Sequence, residues 1–332
     1  MASMPLAGRA AVRWGSRPPT RLLLGLLGGG VALPALAPSL PALCVATLLF
    51  GAANGALDVT MNAQGIAVER RVGRPVLSSF HAAFSFGGLA GAALGALAAG
   101  VTLDARVHLA LVGALLVGLG TGVTARLLAA SADAQVPAQP ALRTPGRRRG
   151  LAVLGLAGFM CLLCEGAALD WSAIYVDRDL AGSPAVAALA YAAFSVTMAV
   201  GRLTGDRLTE SFGPVAIVRV GALVAGLGLA TAILVARPSA ALVGFACLGA
   251  GLAVVVPIVF RAAGELPGGE PGAGIAAVST AGYAGFLAGP PLIGAVAELT
   301  GLPVALAMLP LLCVVLAGLS GATAPRAAPV PA

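Results

Sequence analysis

Charged residues are scarce in this chain. They make up 10% of its 332 residues, and lysine is absent, so arginine supplies every basic side chain. An ordinary soluble domain carries about 25% charged residues. The hydrophobic fraction is 59% and the mean hydropathy is +0.97. So few charged residues cannot cover the surface of a water-soluble protein of this size. We therefore predict an all-α polytopic membrane protein.

Residue types that perform catalysis or hold metals are scarce as well. The chain has two histidines and five cysteines, and all five cysteines lie inside apolar runs. Cys161 and Cys164 have no second cysteine pair or histidine at metal-binding spacing, so we expect both thiols to pack. No Ser/His/Asp set, His-x3-His pattern or Cys/His cluster is apparent. We therefore expect no enzyme activity, no metal and no cofactor.

The net charge of +7 does not indicate nucleic-acid binding. The arginines form short clusters between apolar runs, and no stacking aromatic residues are interleaved with them. Aromatic residues make up only 5% of the chain. Short basic clusters of this kind are typical of loops that face an anionic cytoplasmic leaflet. We therefore expect the partners to be a lipid bilayer and a small solute, with no nucleic acid.

Ten apolar stretches have the length of a membrane-spanning helix. They lie at 20–38, 40–66, 78–102, 106–130, 151–175, 184–203, 215–236, 239–260, 273–298 and 302–320. The only long polar break is the linker 131–150, which separates an N-terminal half of four helices (1–130) from a C-terminal half of six (151–332).

The arginines also predict the orientation of the chain. Successive loops between the ten predicted helices lie on opposite sides of the membrane. Seventeen arginines then lie on one side and only three on the other, namely Arg106, Arg178 and Arg237. The positive-inside rule then predicts a multi-pass protein of the cell membrane with both termini and the linker in the cytoplasm.

The two halves share a repeat. Gly15 precedes Gly213 by 198 residues, and Leu89-Ala90-Gly91 precedes Leu287-Ala288-Gly289 by the same offset. Two matches at one offset indicate an internal duplication, although a chance match in an Ala/Gly-rich chain is the alternative. Applied to the whole chain, this offset implies that the N-terminal half lacks two elements of the C-terminal half. They are its first helix and nearly all of its second helix.

One motif near the middle of the chain resembles a known family. The segment Gly201-Arg202-Leu203-Thr204-Gly205-Asp206-Arg207, with Gly213, resembles the loop motif of the major facilitator superfamily. Residues 8–17 resemble a degraded copy, with Val12 where an aspartate is usual. The resemblance implies two six-helix halves joined by a cytoplasmic linker. The expected fold is therefore a major facilitator fold with about ten of twelve helices.

Further motifs resemble bacterial permeases related to the fucose permeases. They are Leu57-Asp58-Val59-Thr60-Met61-Asn62-Ala63-Gln64, Glu69-Arg70-Arg71, Gly73-Arg74-Pro75, Ser78-Ser79-Phe80-His81 and Glu165-Gly166-Ala167-Ala168-Leu169-Asp170-Trp171-Ser172. The resemblance implies a monomeric secondary transporter that moves a small polar, sugar-like solute by alternating access, with protons as the driving ion. Efflux of hydrophobic compounds is one alternative. A truncated, non-transporting membrane protein or sensor is another.

Ionisable groups inside the predicted helices are the best candidates for a site, because each costs at least about 2.5–3.5 kcal/mol to insert. Asp58 lies between Asn54 and Asn62, each one turn away. Glu165 lies near the middle of the first helix of the C-terminal half. Both carboxylates are predicted to bind the solute or protons. A buried polar clamp between helices is the alternative for Asp58.

Other polar residues are weaker candidates for the same solute and proton site. His81 either relays protons with Asp58 or caps a helix, and Asp170 either gates or is a solvated helix end. Two pairs at i, i+4 spacing offer hydroxyls to a solute or to neighbouring helices: Tyr191 with Ser195, and Ser279 with Tyr283. Arg202, Asp206 and Arg207 are predicted to gate through an ion pair at a cytoplasmic helix end.

Glycine and proline patterns are predicted to serve structure. We expect close helix packing at Gly87, Gly91 and Gly95 in one half and at Gly285 and Gly289 in the other. Pro290 and Pro291 should break or bend their helix.

The orientation can be tested by labelling a Ser131→Cys variant. We expect a membrane-impermeant maleimide to reach this cysteine only from the cytoplasmic side, because the linker carries the basic cluster that marks the inside. Labelling of intact cells without permeabilisation would overturn the predicted topology.

Overall fold

Helices account for nearly all of the residues that the structure describes. The computed structural model describes residues 2–132, 146–267 and 271–325, and these ranges contain no β-strand. Most of the predicted linker 131–150, including Arg143, lies outside the described residues, as does Arg326.

The described residues form two units. The first comprises residues 2–73, 83–132 and 271–277, and the second comprises residues 74–82, 146–267 and 278–325. The helices before the linker region are α1 (Ser3–Trp14), α2 (Arg17–Gly30), α3 (Leu33–Leu36), α4 (Leu40–Val72), α5 (Leu77–Gly100) and α6 (Ala105–Ala125), followed by a short 3-10 turn, Ala130–Ala132.

The helices after it are α7 (Arg147–Ile174), α8 (Pro184–Phe212), α9 (Pro214–Val235), α10 (Pro238–Leu252), α11 (Val255–Gly264), α12 (Pro271–Thr300), α13 (Leu302–Leu306) and α14 (Met308–Leu319). A π-helical turn, Tyr175–Asp179, continues α7, and a 3-10 turn, Ser320–Thr323, follows α14.

All ten predicted membrane stretches are helical. Nine helical segments of the described residues are long and apolar enough to cross a bilayer. The remaining stretch, 273–298, lies within α12, which is 30 residues long. The predicted all-α polytopic fold is therefore confirmed.

Prolines explain where three of the stretches are interrupted. A proline in a helix lacks an N–H and clashes with the carbonyl four residues earlier. Helix α2 ends four residues before Pro34, α10 ends five residues before Pro257, and α13 ends four residues before Pro310. Pro290 and Pro291 do not break their helix, because α12 is a single helix through both residues, and the predicted bend stays a prediction.

Backbone geometry supports the 198-residue repeat. Gly15 ends α1 with φ 75° and ψ 162°, and Gly213 ends α8 with φ 79° and ψ 153°. Asp206 lies seven residues before Gly213, and Gly8 lies seven residues before Gly15. Gly8, rather than Val12, is therefore the counterpart of Asp206. Residues 8–14 belong to helix α1 rather than to a loop.

Close packing in the second unit depends on glycines between α7 and α12. A Cβ added to Gly285 would lie 2.1 Å from the carbonyl oxygen of Phe159, and one added to Gly289 would lie 2.9 Å from that of Leu163. The packing prediction therefore holds for this pair. It is wrong for Gly87, Gly91 and Gly95 of α5, where an added Cβ would meet no described atom within 4 Å.

This contrast gives a matched test of packing at repeat-related positions. We expect Gly285→Ala to destabilise the protein by about 1–3 kcal/mol, because overpacking forces two backbones apart. Gly87→Ala, 198 residues earlier, should stay within about 0.5 kcal/mol of the parent chain. Thermal unfolding in detergent measures both variants, and equal melting temperatures would contradict the assigned α7 and α12 contact.

Candidate functional site

An ion pair lies between helices α7 and α8 of the second unit. The Nη2 atom of Arg202 is 3.5 Å from Oε2 of Glu165. The Arg202 side chain is 8% exposed and that of Glu165 is 23% exposed. The structure therefore brings together two residues that the sequence assigned to different roles, Glu165 to proton binding and Arg202 to gating.

The same stretch of α8 contacts the first turn of α5. The hydroxyl of Ser78 donates to the backbone oxygen of Arg202 at 2.8 Å. Asp206, one turn further along α8, accepts from the backbone N–H groups of Ser78 at 3.0 Å and Ser79 at 2.8 Å. The Ser79 hydroxyl also donates to Asp206. We call this set of bonds to the Asp206 carboxylate the Asp206 cap.

The Asp206 cap is favourable for electrostatic reasons. The first N–H groups of a helix have no partner within it, and the helix dipole makes this end positive. A carboxylate therefore suits the start of α5. Gly205 makes the approach possible, because an added Cβ there would lie 2.4 Å from the Ser78 hydroxyl oxygen.

His81 belongs to this part of the second unit. It lies on α5 one turn after Ser78 and is 9% exposed. Its ring meets Phe260 edge-on, with the ring centroids 6.1 Å apart. Arg202 is close enough to His81 to act on it electrostatically. The imidazole therefore packs against Phe260 of α11 and lies near the charge of Arg202 on α8.

The predicted polar strip on α4 lies in the first unit. The Asn62 side-chain amide donates to the backbone oxygen of Asp58 at 2.8 Å and to its Oδ1 at 3.2 Å. Asn62 is buried, whereas Asp58 and Asn54 are half-buried. The Asp58 carboxylate is therefore held by the amide of Asn62 on the same helix. Asp58 belongs to the first unit, whereas Glu165 belongs to the second.

The remaining predicted residues differ in burial and in their contacts. Ser279 is fully buried, and its hydroxyl has no hydrogen-bond partner among the described residues. Ser195 and Tyr283 are half-buried. The ring of Tyr191 stacks on Phe194 at 6.0 Å between centroids. Asp170 and Arg207 are exposed.

Several polar residues received no role from the sequence. Ser78 and Ser79 appeared only as part of a family motif. Ser172 and Tyr175 are fully buried, and neither hydroxyl has a hydrogen-bond partner in the described ranges. Ser172 appeared only as the last residue of a family motif, and no pattern marked Tyr175. Across the described chain, no three His, Cys, Asp or Glu side chains are grouped as metal ligands.

Comparison with known proteins assigns this architecture to a family. Residues 154–331 match the sequence profile of the Major Facilitator Superfamily. An MFS-type transporter of Yersinia pestis is 35% identical over 319 residues, which are 96% of this chain and 82% of the relative. The chain belongs to the major facilitator superfamily. It is therefore a multi-pass membrane transport protein.

Two further comparisons concern a second relative and a solved structure. The membrane protein MosC of Rhizobium meliloti is 34% identical over 301 residues, covering 90% of this chain and 72% of that protein. The crystal structure of the E. coli fucose:proton symporter FucP superposes with a TM-score of 0.79 at 18% identity. That match covers 98% of this chain and 88% of FucP. The fold of this chain therefore resembles that of FucP.

The Asp206 cap predicts a local effect on α5. Replacing Asp206 with alanine leaves the N–H groups of Ser78 and Ser79 without their acceptor. Loss of a helix N-cap costs about 0.5–2 kcal/mol. Amide hydrogen exchange in the first turn of α5 should therefore accelerate by about two- to thirtyfold.

Glu210 provides the control, because it carries the same charge one turn further along α8 and is exposed. Glu210→Ala should leave exchange at Ser78 and Ser79 unchanged. Equal exchange in the parent and the Asp206→Ala variant would show that the cap does not hold the start of α5.

Proposed function

We propose that this protein is a proton-coupled secondary transporter of a small polar solute in the cell membrane, with both termini in the cytoplasm. The ion pair between Glu165 and Arg202 is the observation that carries the proposal. Ionisable side chains inside membrane helices are rare, and they mark ion, proton or substrate pathways.

The pair suits proton coupling because its two members depend on each other's charge. A buried ion that loses its partner is strongly destabilised. Protonation of Glu165 removes the negative charge 3.5 Å from the Arg202 guanidinium. The electrostatic attraction that holds the Arg202 side chain at this point of α7 is then lost. Proton binding at Glu165 is therefore converted into a force on helix α8.

Helix α8 also carries the proposed gate. Arg202 and Asp206 are one turn apart, and both bind the first turn of α5. A shift of α8 therefore strains the Asp206 cap. We assign Arg202, Asp206 and the exposed Arg207 to gating, with His81 as the group that anchors α5 against Phe260. In this proposal the halves 1–130 and 151–332 alternate access around a site near the bilayer midplane.

A sugar-like solute is the first choice of substrate. Asn54, Asn62, Tyr191, Ser195, Ser279 and Tyr283 supply the amide and hydroxyl groups that hydrogen-bond a hydroxyl-rich solute. Asp58 supplies a second carboxylate, oriented by Asn62. FucP, whose structure this fold resembles, is a symporter of fucose and protons. Asp170 is exposed at the far end of α7, where we place the solute entrance.

Transport assays on carboxylate variants test the proposal. A thermal-shift panel of sugars, polyols and lipophilic cations first selects the solute that stabilises the purified protein. In proteoliposomes, uptake of that solute under an inward proton gradient should be lost in Asp58→Asn and Glu165→Gln, because neither amide can bind and release a proton. The protein should still insert and fold.

Asp177→Asn is the matched control, because Asp177 is an exposed carboxylate beyond the end of α7. Its uptake should equal that of the parent. Parent-level uptake in both Asp58→Asn and Glu165→Gln would exclude the proton site. Stabilisation by lipophilic cations alone would instead favour efflux of hydrophobic compounds.

A further inference from the structure

A groove between α2 and α6 combines an apolar floor with a basic mouth. It belongs to the first unit and encloses about 290 Å³. The lining residues are Arg21, Leu24, Gly25, Val117, Gly120, Thr121 and Thr124. Arg21 is the only charged residue among them, and it lies at one end of the groove.

The groove exists because the two helices touch at glycines further along. A Cβ added to Gly113 would lie 2.5 Å from the carbonyl oxygen of Gly28, so the backbones are in close contact there. Toward the arginine end, Gly25 faces open space, because an added Cβ would meet no described atom within 4 Å. The volume of about 290 Å³ has room for part of an extended hydrocarbon chain.

Three arginines lie at the basic end of the groove, where α6 ends. Arg17 Nη2 donates to the carbonyl oxygen of Ala125 at 3.0 Å, and Arg21 Nε donates to that of Thr124 at 3.2 Å. Arg126 follows α6 directly and is exposed. A guanidinium carries five N–H donors. Arg17 and Arg21 therefore keep further donors for a ligand while their positions are fixed by α6.

We propose that this groove binds an anionic glycerophospholipid. The acyl chain would lie along Leu24, Gly25 and Val117, and the headgroup phosphate would accept from Arg17 and Arg21. Arginine suits a phosphate because its planar donors match two phosphate oxygens at once. Basic pockets between membrane helices bind anionic headgroups in this manner. The proposal requires only a multi-pass membrane protein and is independent of the transported solute.

Competitive lipid binding tests the site. The purified full chain is incubated with equal amounts of phosphatidylglycerol and phosphatidylcholine that share the same acyl chains, and native mass spectrometry counts the retained lipids. The parent should retain phosphatidylglycerol in preference. Arg17→Gln and Arg21→Gln together should lower this preference by about fivefold for each arginine.

Two further variants separate the groove from a general charge effect. Gly25→Leu places a side chain in the groove, starting from a Cβ that would meet no described atom within 4 Å. It should therefore expel the lipid while the protein keeps its melting temperature. Arg106→Gln removes an exposed charge at the opposite end of α6 and should change nothing.

Three results would overturn the proposal. The first is equal retention of both lipids by the parent. The second is parent-level retention in both the double arginine variant and Gly25→Leu. The third is displacement of the bound lipid by inorganic phosphate together with unchanged binding in Gly25→Leu, which would assign the arginines to a free phosphate rather than to a lipid.

Discussion

A charge inside a membrane helix is costly unless it is paired or reaches water, and the Glu165 and Arg202 pair meets this constraint in the second unit. The pair lies next to the contact between α8 and the first turn of α5. Arg202 uses its side chain for the ion pair and its backbone oxygen for Ser78, and Asp206 caps α5 one turn away. Helix α8 thus connects a charge inside the membrane to the start of another helix.

The internal repeat preserves the geometry of this contact but not its chemistry. In the first unit Gly8 occupies the position of Asp206, and Ala276 occupies that of Ser78. A Cβ added to Gly8 would lie 2.7 Å from Cβ of Ala276 and 2.8 Å from the carbonyl oxygen of Gly272. Close backbone packing therefore replaces the carboxylate cap. Only the copy at α8 can respond to a change in charge.

Much of the fold could be predicted from the sequence, since ten apolar stretches and one glycine repeat locate the helices. The interruptions near Pro257 and Pro310 were missed because those stretches remain uniformly apolar. The site was harder to predict. Glu165 and Arg202 were singled out as unusual charges, but their pairing joins residues 37 positions apart on separate helices. The bonds from Ser78 and Ser79 to Asp206 cross even longer separations, and no local pattern specifies them.

Solute-induced proton movement in the unmodified protein tests the central claim most directly. Proteoliposomes carrying a trapped pH indicator, with no imposed pH gradient and the membrane potential clamped, receive the stabilising solute outside. The account predicts acidification of the lumen that saturates with solute concentration. Solute entry without any change in internal pH would contradict proton coupling through Glu165 and Arg202.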